Sequence, residues 1–261
     1  MLAVISPAKK LDFETEPKSS LFTQPAFLDR SEILVEKARR LSRADLGRTM
    51  KLSDKLAELN FRRFQDFSTP FTLANAKQAA LVFNGDTYVG LDATTLDEAD
   101  LDFAQDHLRI LSGLYGVLRP LDLIQPYRLE MGARFQPPDA NNLYEFWDDS
   151  LARAINAATD GHKDRTLINL ASVEYFKAVD QAALDGAVIT PVFKEVRDGV
   201  AKVLGLFAKR ARGAMARYIV RNRLQTPDGI KAFDAGGYQY QPGLSDTSNW
   251  VFTREQTPPA V

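Results

Sequence analysis

The chain of 261 residues contains no cysteine. That excludes disulfides, thiolate metal sites, cysteine-held iron–sulfur clusters and every mechanism with a thiol nucleophile or thiol redox sensor. Histidine is almost as scarce. His107 and His162 are the only two, too few for a histidine-rich metal site, so neither metal nor cofactor is expected, while carboxylates keep Mg²⁺ chemistry open. No apolar run reaches the roughly 18 residues that would suggest a membrane span. The opening MLAVISPAKK has no basic region ahead of a long apolar segment, so it reads as an early buried strand rather than a secretory signal. The expected location is the cytoplasm, with no membrane partner. A G-x-G-x-x-G fingerprint and a Walker loop are missing too, which removes nucleotide binding by those routes.

What is present is an ordinary globular composition, 45% hydrophobic and 26% charged, sufficient for a sizeable core. Net charge is only −1, but the charges are segregated. Positions 78–108 hold seven acids (Asp86, Asp92, Asp97, Glu98, Asp100, Asp102 and Asp106) and no Lys or Arg. Positions 199–227 hold seven cations (Lys202, Lys209, Arg210, Arg212, Arg217, Arg221 and Arg223) and no acid. A nearly neutral chain can still present one strongly positive face, and two solvated surfaces would leave the same record.

There is no internal repeat. Positions 1–254 read as a single domain, and 255–261, including TPPA, as a disordered tail. LAVIS (2–6) and TLINLAS (166–172) read as buried strands, and 28–40, 51–66 and 143–158 as helices. ALVFNGDTYVGL (80–91) reads as a strand leading to an Asn84-Gly85 turn. Leu101, Ala104, Leu108 and Leu111 then recur at helical spacing, so a helix is expected to run up to Gly113. VITPVFKEV and VAKVLGLFA flank Arg197-Asp198-Gly199, a hairpin signal. A basic helix follows, then a last strand pair from YQYQ and WVFTR. Strands and helices without regular βαβ alternation point to an α+β fold with a mixed sheet and surrounding helices.

Three segments are suited to chemistry. In AKRARGAMARYIVRNR, Phe207, Ala211, Ala214, Met215 and Tyr218 form an apolar stripe and the cations take the other face. Gly213 sits mid-helix at a cost of about 1 kcal/mol relative to alanine, so something is expected to approach the backbone there. In LSGLYGVLRPLDLIQPYRLEMG (111–132), a turn at Gly113 and Gly116 could aim backbone N–H groups at phosphates, with Arg119 and Arg128 nearby. That pattern resembles a helix-hairpin-helix element, although the glycines are one residue further apart and Pro120 and Pro126 interrupt a second helix. A glycine cap on a buried, proline-rich loop fits equally well. Lys9 follows the first strand, where sheets of this kind place ligands, and Asp86, Glu130 and Glu174 supply carboxylates for acid–base or Mg²⁺ work. Ion pairing with an arginine is the plainer role for such carboxylates.

Taken together, SPAKKLDF, KLSDKLAELNFRRF, FNGDTYVGL, LRILSGLYGVLRPLDLIQPYRLEMG, LINLASVEYFKAV and AKRARGAMARYIV resemble the YaaA peroxide-stress family, in order from Met1 to about Arg254. Lys10 departs from the family pattern, which usually has Thr after SPAK. The resemblance implies an α+β body with a positively charged cleft and a helix-hairpin-helix element. It also implies protection of bacterial cells from hydrogen peroxide, through limiting unincorporated iron and through DNA protection or repair, with double-stranded or branched DNA as partner. It brings no established reaction.

Three readings follow. In the first, DNA binds largely without sequence specificity on Lys9, Lys10, Arg119, Arg128, Lys209, Arg210, Arg212, Arg217 and Arg221 and on the glycine turn at Gly113 and Gly116. In the second, an enzyme acts on a nucleobase or phosphate-bearing substrate in the same cleft, with Lys9, Asp86, Glu130 and Glu174 as catalytic candidates. In the third, the acidic run sequesters iron directly.

Overall fold

The first strand explains the architecture. Leu2–Ile5 (β1) is buried along its whole length, because it is parallel to neighbours on both sides and both its faces are covered. In a computed structural model describing residues 1–16 and 19–255, the other strands are Lys77–Gln78 (β2), Leu108–Ser112 (β3), Gly116–Leu118 (β4), Leu123–Ile124 (β5), Leu167–Leu170 (β6), Val188–Arg197 (β7), Val200–Lys202 (β8), Gln239–Tyr240 (β9) and Asn249–Glu255 (β10). The main sheet runs β4-β3-β1-β6-β7-β10-β9, with β8 against β7. Strands β3, β1, β6, β7 and β10 are mutually parallel. The flanking pairs β3–β4, β7–β8 and β10–β9 are antiparallel. The expected α+β class with a mixed sheet is therefore what forms, around one hydrophobic core. Glu255 ends β10, and positions 256–261 lie outside the described residues.

The helices are Leu28–Arg39 (α1), Arg43–Met50 (α2), Asp54–Asp66 (α3), Ala79–Val82 (α4), Asp86–Leu91 (α5), Glu98–His107 (α6), Leu143–Trp147 (α7), Ser150–Ala158 (α8), Val173–Phe176 (α9) and Gly205–Arg221 (α10). The Asp198-Gly199 hairpin between β7 and β8 forms as expected, both residues adopting positive φ (51° and 74°). The expected 143–158 helix is broken into α7 and α8 at Asp148, whose φ is 46°.

Two expectations are corrected. Positions 80–91 are not a strand but the single turn α4 and the helix α5, joined by an extended Gly85. A short apolar run has the same look in a buried helix as in a buried strand. Here Asp86 opens α5 in its first turn, where the helix dipole favours an acid, and Tyr88 and Leu91 bury one face. The helix expected to reach Gly113 stops at His107, and Leu108–Ser112 becomes β3 between β1 and β4. Leu101 and Ala104 carry the helical period, whereas Leu108 and Leu111 belong to the strand. The Gly113–Gly116 turn thus joins two strands, and no helix-hairpin-helix is built there. The leucines of the stretch pack inward, with Leu114, Leu118, Leu123 and Leu129 buried.

Candidate functional site

Parallel strands send their carboxyl ends to one edge, and open sheets use that edge for ligands. Here Ser6 follows β1 and Ser172 lies just beyond β6. The Ser172 N–H donates to Ser6 Oγ at 2.8 Å, and the two hydroxyls are 3.2 Å apart. A cleft of about 430 Å³ opens at this point, walled by the segment after β1, the start of α5, positions 127–130, the start of α9 and one side of α10.

All four catalytic candidates of the enzyme reading meet in it, together with four cations besides Lys9: Lys10, Arg128, Lys209 and Arg212. Lys9 Nζ lies 2.5 Å from Glu130 Oε1, and an Arg128 Nη2 lies 3.9 Å from the same oxygen. Glu174 Oε1 accepts from the Gly132 N–H at 3.0 Å. Asp86 faces Arg210 at 3.4 Å. The Lys9 side chain is 69% exposed and already paired, so the desolvated surroundings that a nucleophilic lysine requires are missing.

Arg212 differs from the other cations. Burial lowers its pKa, and among the described residues no carboxylate comes within ion-pair distance of it. Its Nε donates instead to the Ala208 carbonyl of its own helix at 3.3 Å. Arg128 likewise buries an Nε that finds no hydrogen-bond partner among the described residues. Tyr88, Tyr127 and Tyr175 line the cleft and are almost wholly buried. Burial raises all three hydroxyl pKa values far enough that they stay protonated at any physiological pH. Tyr88 Oη donates to the Ser6 carbonyl at 3.1 Å, and Tyr127 Oη meets Ser112 Oγ at 2.7 Å. These phenols can position groups and present ring surface, but they cannot act as bases.

The family described as peroxide stress protein YaaA matches residues 1–244 of the chain. The chain belongs to that family. It is 58% identical over 254 residues to a UPF0246 protein of Magnetococcus marinus, covering 97% of this chain and 99% of the relative. It is 54% identical over 256 residues to one from Alteromonas mediterranea (98% and 99% covered) and 53% identical over 257 residues to one from Dechloromonas aromatica (98% and 100%). Lys10 is exposed. Its turn is held by backbone bonds, from the Asn84 N–H to the Lys10 carbonyl (2.9 Å) and from the Asp12 N–H to the Val82 carbonyl (2.7 Å).

The remaining candidates lie elsewhere. Gly113 and Gly116 are buried, which takes both away from any DNA-facing surface. A Cβ on Gly113 would sit 2.3 Å from the Leu129 carbonyl oxygen, and Gly116 has φ +69° against the Trp147 ring, so packing demands both glycines. Arg119 pairs with buried Asp122 at 3.3 Å. Arg217 donates to the Leu91 and Asp92 carbonyls, at 3.1 and 2.8 Å. Arg221 and Arg223 clasp the buried carboxylate of Asp100 at 2.9 and 2.7 Å. Three acids and four cations of the two runs are thus partners of each other, and α5 packs directly along α10. Three acids of the run are taken up by this pairing, and among the described residues no group of three or more His, Asp or Glu is placed to hold a metal. Ser6, Ser172, Tyr88, Tyr127 and Tyr175 were not anticipated from the sequence. For Ser6, Ser172 and Tyr175 the available signal was their position near Lys9 and Glu174 in SPAKK and ASVEYF; Tyr88 and Tyr127 stand near Asp86 and Arg128 in GDTY and PYR.

Proposed function

We propose that the chain protects cells against hydrogen peroxide by binding DNA, largely without sequence preference, through the cation-lined cleft at the carboxyl ends of β1 and β6. Limitation of unincorporated iron, DNA protection and repair belong to this same reading. The observation that carries it is the convergence of Lys9, Lys10, Arg128, Lys209 and Arg212 on one concave site, against the three carboxylates Asp86, Glu130 and Glu174. Arginine and lysine so placed suit phosphate oxygens, and phosphate contacts hold a nucleic acid without reading its bases. The interface is narrower than the sequence suggested. Arg217 and Arg221 are engaged within the protein, so α10 contributes Lys209 and Arg212, with Arg210 at its edge.

The test is a salt titration of duplex binding by wild type and by Lys9→Glu/Lys209→Glu. Binding that weakens steeply with salt, with a slope the double reversal flattens, supports the reading. Affinity that barely changes with salt refutes it. A second reading is favoured by the Lys9–Glu130 contact at 2.5 Å with Glu174 close by. In it, the cleft turns over a nucleobase or phosphate-bearing substrate. It requires Glu174→Ala to abolish peroxide protection while stability and DNA affinity stay at wild-type levels.

A further inference from the structure

We infer that the cleft takes a single nucleotide swung out of a DNA duplex, with its phosphate on Arg212 and its base against the tyrosine floor. This rests on the DNA-binding reading above and specifies what enters the site. Size is the first argument. A sphere of 430 Å³ is about 9 Å across, in the range of small-ligand sites and narrower than the roughly 12 Å of a DNA major groove alone. A duplex can lie across the mouth, but only one nucleotide fits inside.

Charge is the second argument. A partly buried cation normally has an anion beside it. Arg212 lines the cleft with no carboxylate partner among the described residues, and Arg128 lines it with only a long contact, 3.9 Å, to Glu130. The two arginines line one space, and a phosphate placed there suits paired guanidinium N–H donors. The floor is the third argument. Tyr88, Tyr127 and Tyr175 line the cleft with neutral hydroxyls and the small part of each side chain left uncovered, which gives a base entering the cleft contact without regard to sequence.

An exposed apolar side chain completes the geometry. Val173 is 87% exposed, the highest value among the large exposed hydrophobics of the described residues. It stands between Ser172 and Glu174, both of which line the cleft. Proteins that unstack DNA insert apolar side chains of this kind between base steps. Val173 is therefore placed to occupy the position that the extruded base vacates.

The experiment compares two duplexes of the same sequence by fluorescence anisotropy, one fully paired and one carrying a single unpaired 2-aminopurine. Acrylamide quenching of the 2-aminopurine is read in the bound state. The expected result is at least tenfold tighter binding of the bulged duplex and protection of its base from acrylamide. In Arg212→Gln the two duplexes should bind alike, and in Val173→Gly the protection should fall. If both duplexes bind equally and the base stays fully quenchable, the inference is overturned while DNA binding stands. If neither duplex binds, the DNA-binding reading itself fails and the inference falls with it.

Discussion

Replacing Gly213 by alanine sets two physical effects of opposite sign against each other. Helix propensity alone makes alanine better by about 1 kcal/mol in a helix interior. The crossing of α5 and α10 says otherwise. A Cβ at Gly213 would lie 1.7 Å from the Thr87 carbonyl oxygen and 2.8 Å from the Leu91 nitrogen. Reciprocally, a Cβ at Gly90 would lie 2.1 Å from the Arg210 carbonyl oxygen. The obstacles are backbone on both sides, with no flexible side chain to move away. Overpacking costs about 1–3 kcal/mol, and an unyielding site belongs at the upper end. After the propensity gain, Gly213→Ala should lose about 2 kcal/mol, a fall in Tm of about 4–8 °C for a chain of this length. Gly205→Ala, on the same helix with nothing within 4 Å of its Cβ, should be neutral or slightly stabilising. The assay is thermal unfolding of the two variants beside wild type. Because α5 brings Asp86 and Tyr88 to the cleft and α10 brings Lys209 and Arg212, Gly213→Ala should also weaken DNA binding. A Gly213→Ala protein at least as stable as wild type would refute the close-packing argument.

Two other outcomes follow from the ion pairs. Asp100→Asn keeps the shape but removes the charge that Arg221 and Arg223 hold, and should cost about 2 kcal/mol in urea unfolding near neutral pH. Burial pushes the Asp100 carboxyl pKa up, yet the hydrogen bonds from Arg223 and Arg221 outweigh it and leave it below the ordinary value. A depressed folded-state pKa contributes stability above the unfolded value of about 3.9 and loses it as pH falls through the folded one. The difference between wild type and Asp100→Asn should therefore shrink below about pH 4, and a constant difference would count against the pairing. Lys9→Ala removes an exposed partner and should shift stability by less than about 1 kcal/mol, while lowering the log–log salt slope of DNA binding by about 1.

The parts of the fold that could be read from the sequence were those fixed by local rules. LAVI and LINL announce buried strands because both their faces are covered, and Asp198-Gly199 announces a hairpin because it needs two positive φ values. Residues 80–91 and 108–112 were misread, since a buried apolar run has no period to betray its geometry until its neighbours are known. The site was half legible. Lys9 and Glu174 stand out as charges beside buried strands, whereas the serines and tyrosines next to them look like ordinary core and turn residues. The pairing of Asp100 with Arg221 and Arg223 spans more than 120 residues of sequence, and no local pattern reveals it. Gly213 was different. Its cost in a helix implied a close neighbour, and that neighbour is the α5 backbone rather than a ligand.

That pairing changes how the charge of this protein should be interpreted. Seven acids and seven cations in two separate runs suggest two surfaces, but Asp86, Asp92 and Asp100 spend themselves on Arg210, Arg217, Arg221 and Arg223. What the fold does not use is a better guide to a ligand than what the sequence contains. Removing the internally paired arginines leaves Lys10, Lys209 and Arg212 as the cleft cations without an ion pair among the described residues. Only Arg212 of these is also partly withdrawn from water. An exposed lysine can satisfy itself with solvent, whereas a half-buried guanidinium cannot do so fully. Reversing Arg217 or Arg221 therefore disturbs the contact between α5, α6 and α10 before it tests any interface, and the DNA-binding question is put most directly to Lys10, Lys209 and Arg212.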